Sequence, residues 1–260
     1  MTVYKTHHRR MILLCLLALL TASQGLAVSA DGNPSRRKST ALIVSPLFGY
    51  LKNESDNAGT DISPEYGFYV MYASPRLVIN NTTFFSDVNQ SDVWGNIASI
   101  NLYGDPEKKL TWYLGGSYVW HRVKNDRVRV NVVEPLGKVG VVWRIPDWHL
   151  SFNPYIGYGR SDVRTEVSVV TPRGPMTFKA RDRSDIAVAG VSTYWRWRMF
   201  HANVKYYMAK KFDSGQLHHN FRIWGTAMFS ERMGVIARVE YEEQDTEKNT
   251  SVLFGPVFVF

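Results

Sequence analysis

Cleaving an ester or amide needs a nucleophile, a base within hydrogen-bond reach and a group that orients the base. The residues of this chain that have those chemistries and fall near the ends of extended segments are Ser86, Asp87, His121, Ser161, Asp162, His218 and His219. None of these histidines stands one residue away from a serine in an asparagine-flanked strand, and His121 lies far along the chain from His218 and His219. Neighbouring residues of a strand point to opposite faces, so His218 and His219 do not converge on one metal ion. The sequence therefore predicts no catalytic residues, no metal site and no cofactor. These groups read as polar residues at the bases of loops.

The second chemistry is charge. Arg129, Lys138, Arg144, Lys205, Arg222 and Arg238, with Glu65 and Glu240, fall on the parity opposite to the apolar residues of their segments. If the apolar faces meet lipid, these charges line an interior. Two readings follow. In one, rings of Arg and Lys lower the barrier for negative solutes, giving a narrow anion-favouring conduit. In the other, which the residues alone favour, a small barrel is filled by its own paired side chains, with Glu240 serving Arg222 or Lys205 across the ladder.

The positioning elements are strands. Period-two alternation marks twelve segments, at 41–52, 64–74, 76–86, 92–103, 109–123, 127–145, 149–162, 184–197, 199–211, 218–230, 233–243 and 250–260. Each is near or above the nine to eleven residues that a tilted strand needs to cross a hydrocarbon layer. Alternation is clearest in the second (Tyr66, Phe68, Val70, Tyr72), the fifth (Leu110, Trp112, Leu114, Tyr118, Trp120) and the eleventh (Val235, Ala237, Val239, Tyr241). The third, fourth and eighth are ambiguous in face. In the sixth, apolar parity changes from Val128, Val130 and Val132 to Val139, Val141 and Trp143, which predicts a bulge around Glu134-Pro135-Leu136-Gly137.

Connections alternate in character. Ser74-Pro75-Arg76, Gly104-Asp105-Pro106-Glu107, Ile145-Pro146-Asp147-Trp148, the region of Arg198 and Ser230-Glu231-Arg232 are compact turns. The intervening connections, 53–63, 87–91, 162–183, 213–219 and 244–249, are longer or more polar, apart from the short one near Lys124-Asn125-Asp126. Short turns on one rim and long loops on the other imply an even strand count with both ends on the short-turn rim.

At the start of the chain, Lys5, His7, His8, Arg9 and Arg10 precede the apolar run Met11 to Leu20, and small residues follow to Ala30. This is the pattern of a secretory signal peptide, with cleavage expected after Ala30. The run is too short for a spanning helix. Cys15, the single cysteine, lies inside it, so the mature chain is expected to hold neither disulfides nor thiolate metal sites. Loss of three cations with the leader lowers the formal charge from +8 to about +5, still basic enough to favour anionic partners. No later stretch approaches twenty apolar residues, and mean hydropathy is −0.23. Aromatics nonetheless make up 13% of the chain, as when alternate residues meet lipid and Trp and Tyr form girdles.

At the other end Val252, Phe254, Phe258 and Phe260 share one parity, and the chain closes on the aromatic. This ending resembles the C-terminal strand of Gram-negative outer-membrane β-barrels, where it looks like the signal read by the insertion machinery. The whole mature chain resembles the roughly twelve-stranded class, including solitary autotransporter-type translocator barrels and small porin-like barrels. The resemblance implies an all-β, closed antiparallel transmembrane barrel of about twelve strands, with ten as the alternative. It also implies a signal peptide at 1–30, a short periplasmic segment at 31–40, and a barrel over 41–260 in the outer membrane with both termini periplasmic. No passenger domain is expected before the first strand. The expected partners are outer-membrane lipid, lipopolysaccharide and the insertion machinery; nucleic acid is not among them, and a monomer is expected. The expected role is a non-enzymatic small pore or structural surface barrel. The alternatives are an outer-leaflet lipid- or lipopolysaccharide-modifying hydrolase and a secreted soluble β-sandwich.

Closure of such a barrel sets the first strand against the last, which brings Gly49 near Leu253 and Pro46 near Pro256. Because proline cannot donate to a ladder, the favoured expectation is that both imino nitrogens point to non-bonded positions; a lateral gate at this seam is the competing one.

Overall fold

The computed structural model describes residues 40–56, 59–88, 90–172, 174–245 and 247–260. The expected signal peptide at 1–30 and residues 31–39 of the expected periplasmic segment lie outside the described residues. Twelve strands form: β1 (Ala41–Ser55), β2 (Gly59–Ala73), β3 (Leu77–Val88), β4 (Ser91–Tyr103), β5 (Leu110–Lys124), β6 (Val128–Ile145), β7 (Leu150–Thr171), β8 (Gly174–Trp197), β9 (Phe200–Lys211), β10 (Leu217–Met228), β11 (Met233–Gln244) and β12 (Glu247–Val259). Each pairs antiparallel with its sequence neighbours, and β1 pairs with β12, so the sheet closes with no free edge. The expected closure register holds, with Gly49 opposite Leu253.

Alternation decides which side each residue sees. Leu114, Val139, Ile156, Val235, Val239 and Phe254 lie exposed on the outside, while Leu47, Val142, Ile186, Val188, Ile236, Leu253 and Val257 are buried inside. Aromatics bound the exposed apolar band. Towards the short-turn rim, Trp195, Trp197 and Phe200 stack with centroids 6.2 Å apart. Towards the opposite rim, Phe48 and Tyr66 pack edge to face, and Trp94 contacts both Phe85 at 4.6 Å and Trp120 at 6.3 Å. The five compact turns all fall on the first rim, where Leu42 and Phe260 also meet.

The ambiguous faces have a physical cause. On the outside of β3 and β4, Asn81, Thr83 and Asn96 form a hydrogen-bonded group (Asn96 Nδ2 to Thr83 Oγ1, 2.9 Å, and to Asn81 Oδ1, 3.0 Å). Inside, Ser99 donates to Asn80. Both faces are therefore part polar and alternation carries no contrast. In β8 the inner row Ser184, Ile186 and Val188 is buried, and the outer row carries the charged Asp185 and the small Ala187 and Ala189.

Two expectations are corrected. The ladders of β6 with β5 and β7 keep one constant register along their whole length, so there is no bulge at 134–137. The change in apolar parity arises because Val128, Val130 and Val132 face inward at the loop end, beyond the exposed apolar band. Second, the segments read as loops at 53–63, 162–183 and 244–249 are largely strand, with tight connections after Ser55, Thr171 and Gln244. Outside the hydrocarbon layer a strand needs no apolar face, because the backbone ladder and cross-strand charges hold it. Glu166, for instance, lies within 3.5 Å of Arg129 and 3.3 Å of Lys179.

Candidate functional site

The lumen carries a charged belt held by three consecutive strands. Lys205 on β9 lies opposite Arg222 on β10, which lies opposite Glu240 on β11, and Arg238 sits two residues from Glu240 on the same inner face. Arg222 and Arg238 both donate to the Glu240 carboxylate, and Asn220 Nδ2 adds a bond of 2.9 Å. The side chains of Arg222, Arg238 and Glu240 are only 18%, 10% and 13% exposed, so the ion pairs lie within the barrel and are shielded little by solvent. Like charges opposite one another on a ladder repel. Glu240 offsets the repulsion between Lys205 and Arg222.

The lysines are held differently. Lys138 Nζ lies 5.6 Å from the centre of the Tyr155 ring, and Lys205 Nζ lies 5.0 Å from the Tyr207 ring and 5.9 Å from that of Tyr155. Among the described residues neither lysine reaches a carboxylate within 4.0 Å; the negative faces of the tyrosine rings take that place. Gly190 makes room for the rings, since an added Cβ would stand 2.7 Å from both Tyr155 and Tyr207. Tyr155, Tyr207 and Asn220, with Glu134 and Glu242 nearer the loop end, are lumen residues outside the sequence expectation. The parity opposite to Ile156 and Phe221 was the signal that would have found the first three.

Of the remaining expected lumen residues, Glu65 is buried on the inner face of β2 and accepts a hydrogen bond from Ser251 on β12. Arg144 faces inward at the short-turn rim, where its Nη1 donates to the carbonyls of Lys108 (2.8 Å) and Asp105 (3.1 Å). It pins the β4–β5 turn. Arg129 is a correction: with no bulge in β6 it lies on the opposite face from Lys138, outside the barrel, beside Glu166.

Among the described residues, the serines, aspartates and histidines with hydrolytic chemistry are not brought together. Ser86 donates to Pro64 O (3.0 Å) and Ser161 to Glu134 Oε1 (2.8 Å). His121 packs on Phe84, His218 Nε2 lies 2.8 Å from Glu242 inside, and His219 meets the Tyr206 hydroxyl at 2.8 Å outside. Asp162 is bound up in arginines on the exterior. At the end of the chain Val252, Phe254, Phe258 and Phe260 share the outer face of the closing strand, with Leu253, Gly255 and Val257 buried behind them.

The translocator domain of autotransporter NalP from Neisseria meningitidis has the same architecture, with a TM-score of 0.52 at 11% identity over 98% of this chain and 96% of that one. The fold is that of an outer-membrane β-barrel. The NanC porin is a second such structure, with a TM-score of 0.50 at 10% identity over 81% of this chain and 98% of that one. At these identities the likeness concerns the fold alone. No protein-family model and no curated protein sequence matches the chain.

Proposed function

We propose that this protein is a monomeric, non-enzymatic outer-membrane barrel that acts as a narrow conduit favouring small anions, with both chain ends periplasmic. One observation carries the reading: Lys138, Lys205, Arg222 and Arg238 share the inner face with Glu240 and Glu65, and with Glu134 and Glu242 nearer the loop end, and among the described residues neither lysine has a carboxylate within 4.0 Å. Lysines without a partner carboxylate lower the barrier for anions and raise it for cations. The hydroxyls of Ser86 and Ser161 are engaged away from histidine, which supports a non-enzymatic role. The outward row Val252, Phe254, Phe258, Phe260 supplies the apolar C-terminal signal that the insertion machinery of such barrels would read.

A second reading, a structural barrel sealed by its own side chains, is favoured by the burial of the Arg222–Glu240–Arg238 group. Planar-bilayer recording under a potassium chloride gradient separates the two. A conduit gives a steady small conductance with a reversal potential on the chloride side, which moves towards zero in Lys138→Ala/Lys205→Ala. Absence of conductance from folded protein assigns the sealed barrel, and a cation-side reversal potential overturns the anion preference.

A further inference from the structure

Outside the barrel, the wall formed by β5 to β8 changes character within a few residues. On β5 the outward row climbs from Gly116 through Tyr118 and Trp120 to Arg122 and Lys124, and on β6 its partners climb from Gly137 to Arg129. At about 2.5 Å of rise per tilted strand residue, the six residues from Gly116 to Arg122 span roughly 15 Å along the membrane normal. The lower end is an apolar groove of about 500 Å³ on the lipid-facing side; Ala98, Gly116 and Gly137 lie along it between Ile79, Ile100 and Tyr118. Beside it on the same face Leu114 and Val139 stand exposed, whereas Gly116 and Gly137, opposite each other, carry no side chain.

The upper end is basic. Asp162 is shared by Arg164, Arg181 and Arg183, and Glu166 by Arg129 and Lys179, so cations outnumber the carboxylates they surround. Among the described residues, Arg122 and Lys124 reach no carboxylate within 4.0 Å. The patch is local. It ends at β4, where Asp92 lies opposite Lys124 on one side and Asp87 of β3 on the other, and elsewhere on the outer face Lys52 pairs with Glu54 and Lys248 with Glu243. Guanidinium groups bind phosphate oxygens in forked, charge-assisted pairs. A cation row above an aromatic and an acyl-sized groove, all facing lipid, complements a phosphate joined to hydrocarbon chains.

We propose that this wall binds a phosphorylated glycolipid of the outer leaflet, of the lipid A class, with its phosphates on Arg122, Lys124 and Arg129 and an acyl chain in the groove at Gly116 and Gly137. The inference rests on the outer-membrane reading above, because it needs these residues at the outer lipid boundary. Gly116 suits a test: an added Cβ would meet nothing closer than 3.7 Å, so Gly116→Leu fills the groove without displacing backbone.

The experiment is native mass spectrometry of the detergent-extracted barrel titrated with bisphosphorylated lipid A, dephosphorylated lipid A and phosphatidylglycerol. The wild-type chain is expected to retain one bisphosphorylated lipid A in preference to both others. Arg122→Gln/Arg129→Gln is expected to lower the apparent affinity at least tenfold, Gly116→Leu to lower it several-fold, and Lys248→Gln to leave it unchanged. Equal retention of the three lipids, or unchanged retention by both site variants, overturns the proposal. Gel mobility of unheated against boiled samples of the same preparations reports the barrel separately. A heat-modifiable variant that loses lipid A identifies the site, whereas wild-type protein without a mobility shift counts against the barrel reading itself.

Discussion

Pro46 of β1 and Pro256 of β12 stand opposite each other across the closure of the barrel, at a position where any other residue pair would exchange two hydrogen bonds. Leu42 and Phe260 do exchange both backbone bonds, at 3.1 and 2.9 Å, and in an antiparallel ladder such pairs recur every second residue. The constant offset from Ile43↔Val259 to Phe48↔Phe254 puts the two prolines on a bonded site. The expectation that their imino nitrogens would point to non-bonded positions is thus not met. Ser45 Oγ donates to Pro46 O at 3.3 Å, and Gly255 lets the strands approach, since a Cβ there would collide with that carbonyl.

Restoring the donors is therefore expected to strengthen the seam. Pro46→Val/Pro256→Val should raise the folding free energy in vesicles by about 1 kcal/mol per recovered bond, read from urea unfolding midpoints. Cysteines at Asn53 and Asn249, whose side chains already touch at 2.7 Å, check the register by crosslinking. Gly49 is unsuitable for this, because its added Cβ would strike Val252 O. Unchanged stability would show that the missing donors do not weaken the closure.

The two faces should respond oppositely to charge. Leu114 lies exposed in the middle of the outer band, so Leu114→Arg is expected to cost roughly 2–4 kcal/mol in a membrane-folding titration. Lys205→Ala, on the inner face, is expected to fold and to alter conductance. Equal tolerance of both would reverse the assignment of faces.

Glu240 joins Arg222 and Arg238, and removing it strands both cations in the lumen. Glu240→Gln is expected to destabilise the barrel by about 3–5 kcal/mol, the range for breaking a buried ion pair from one side. Replacing all three residues by apolar groups of similar volume should cost far less, because no unpaired charge remains. The comparison is made by unfolding in vesicles of one composition.

Asp162 sits on the hairpin that rises from β7 and β8, and the hydrogen bond from Arg181 holds its carboxyl well below the usual carboxylate range. A depressed carboxylate contributes stability that is complete above its unfolded pKa and is lost as pH falls towards the folded value. Amide exchange of 162–183 is therefore expected to be slow at neutral pH and to quicken, relative to its intrinsic rate, only below about pH 4. Asp162→Asn should reproduce the fast exchange at neutral pH. Identical exchange in variant and wild type would show that the ladder alone orders the hairpin.

The sequence by itself determined the barrel, because alternation with a period of two writes lipid and lumen faces directly into residues such as Tyr66, Phe68, Val70 and Tyr72. Compact turns at Ser74-Pro75-Arg76 and Gly104-Asp105-Pro106-Glu107 ordered the strands, and twelve of them closing on Phe260 set Gly49 against Leu253. The hydrocarbon layer enforces this legibility by demanding apolar side chains at every second position. Where that demand stops, the signal stops too. The strands between 162 and 183, the straight register of β6 and the outward turn of Arg129 beside Glu166 were decided by tertiary pairing. So was the difference between Arg222, joined to Glu240, and Lys205, left among the tyrosines. Parity assigns a charge to a side of the sheet, but its partner depends on shear, strand tilt and the space that residues such as Gly190 leave across the lumen.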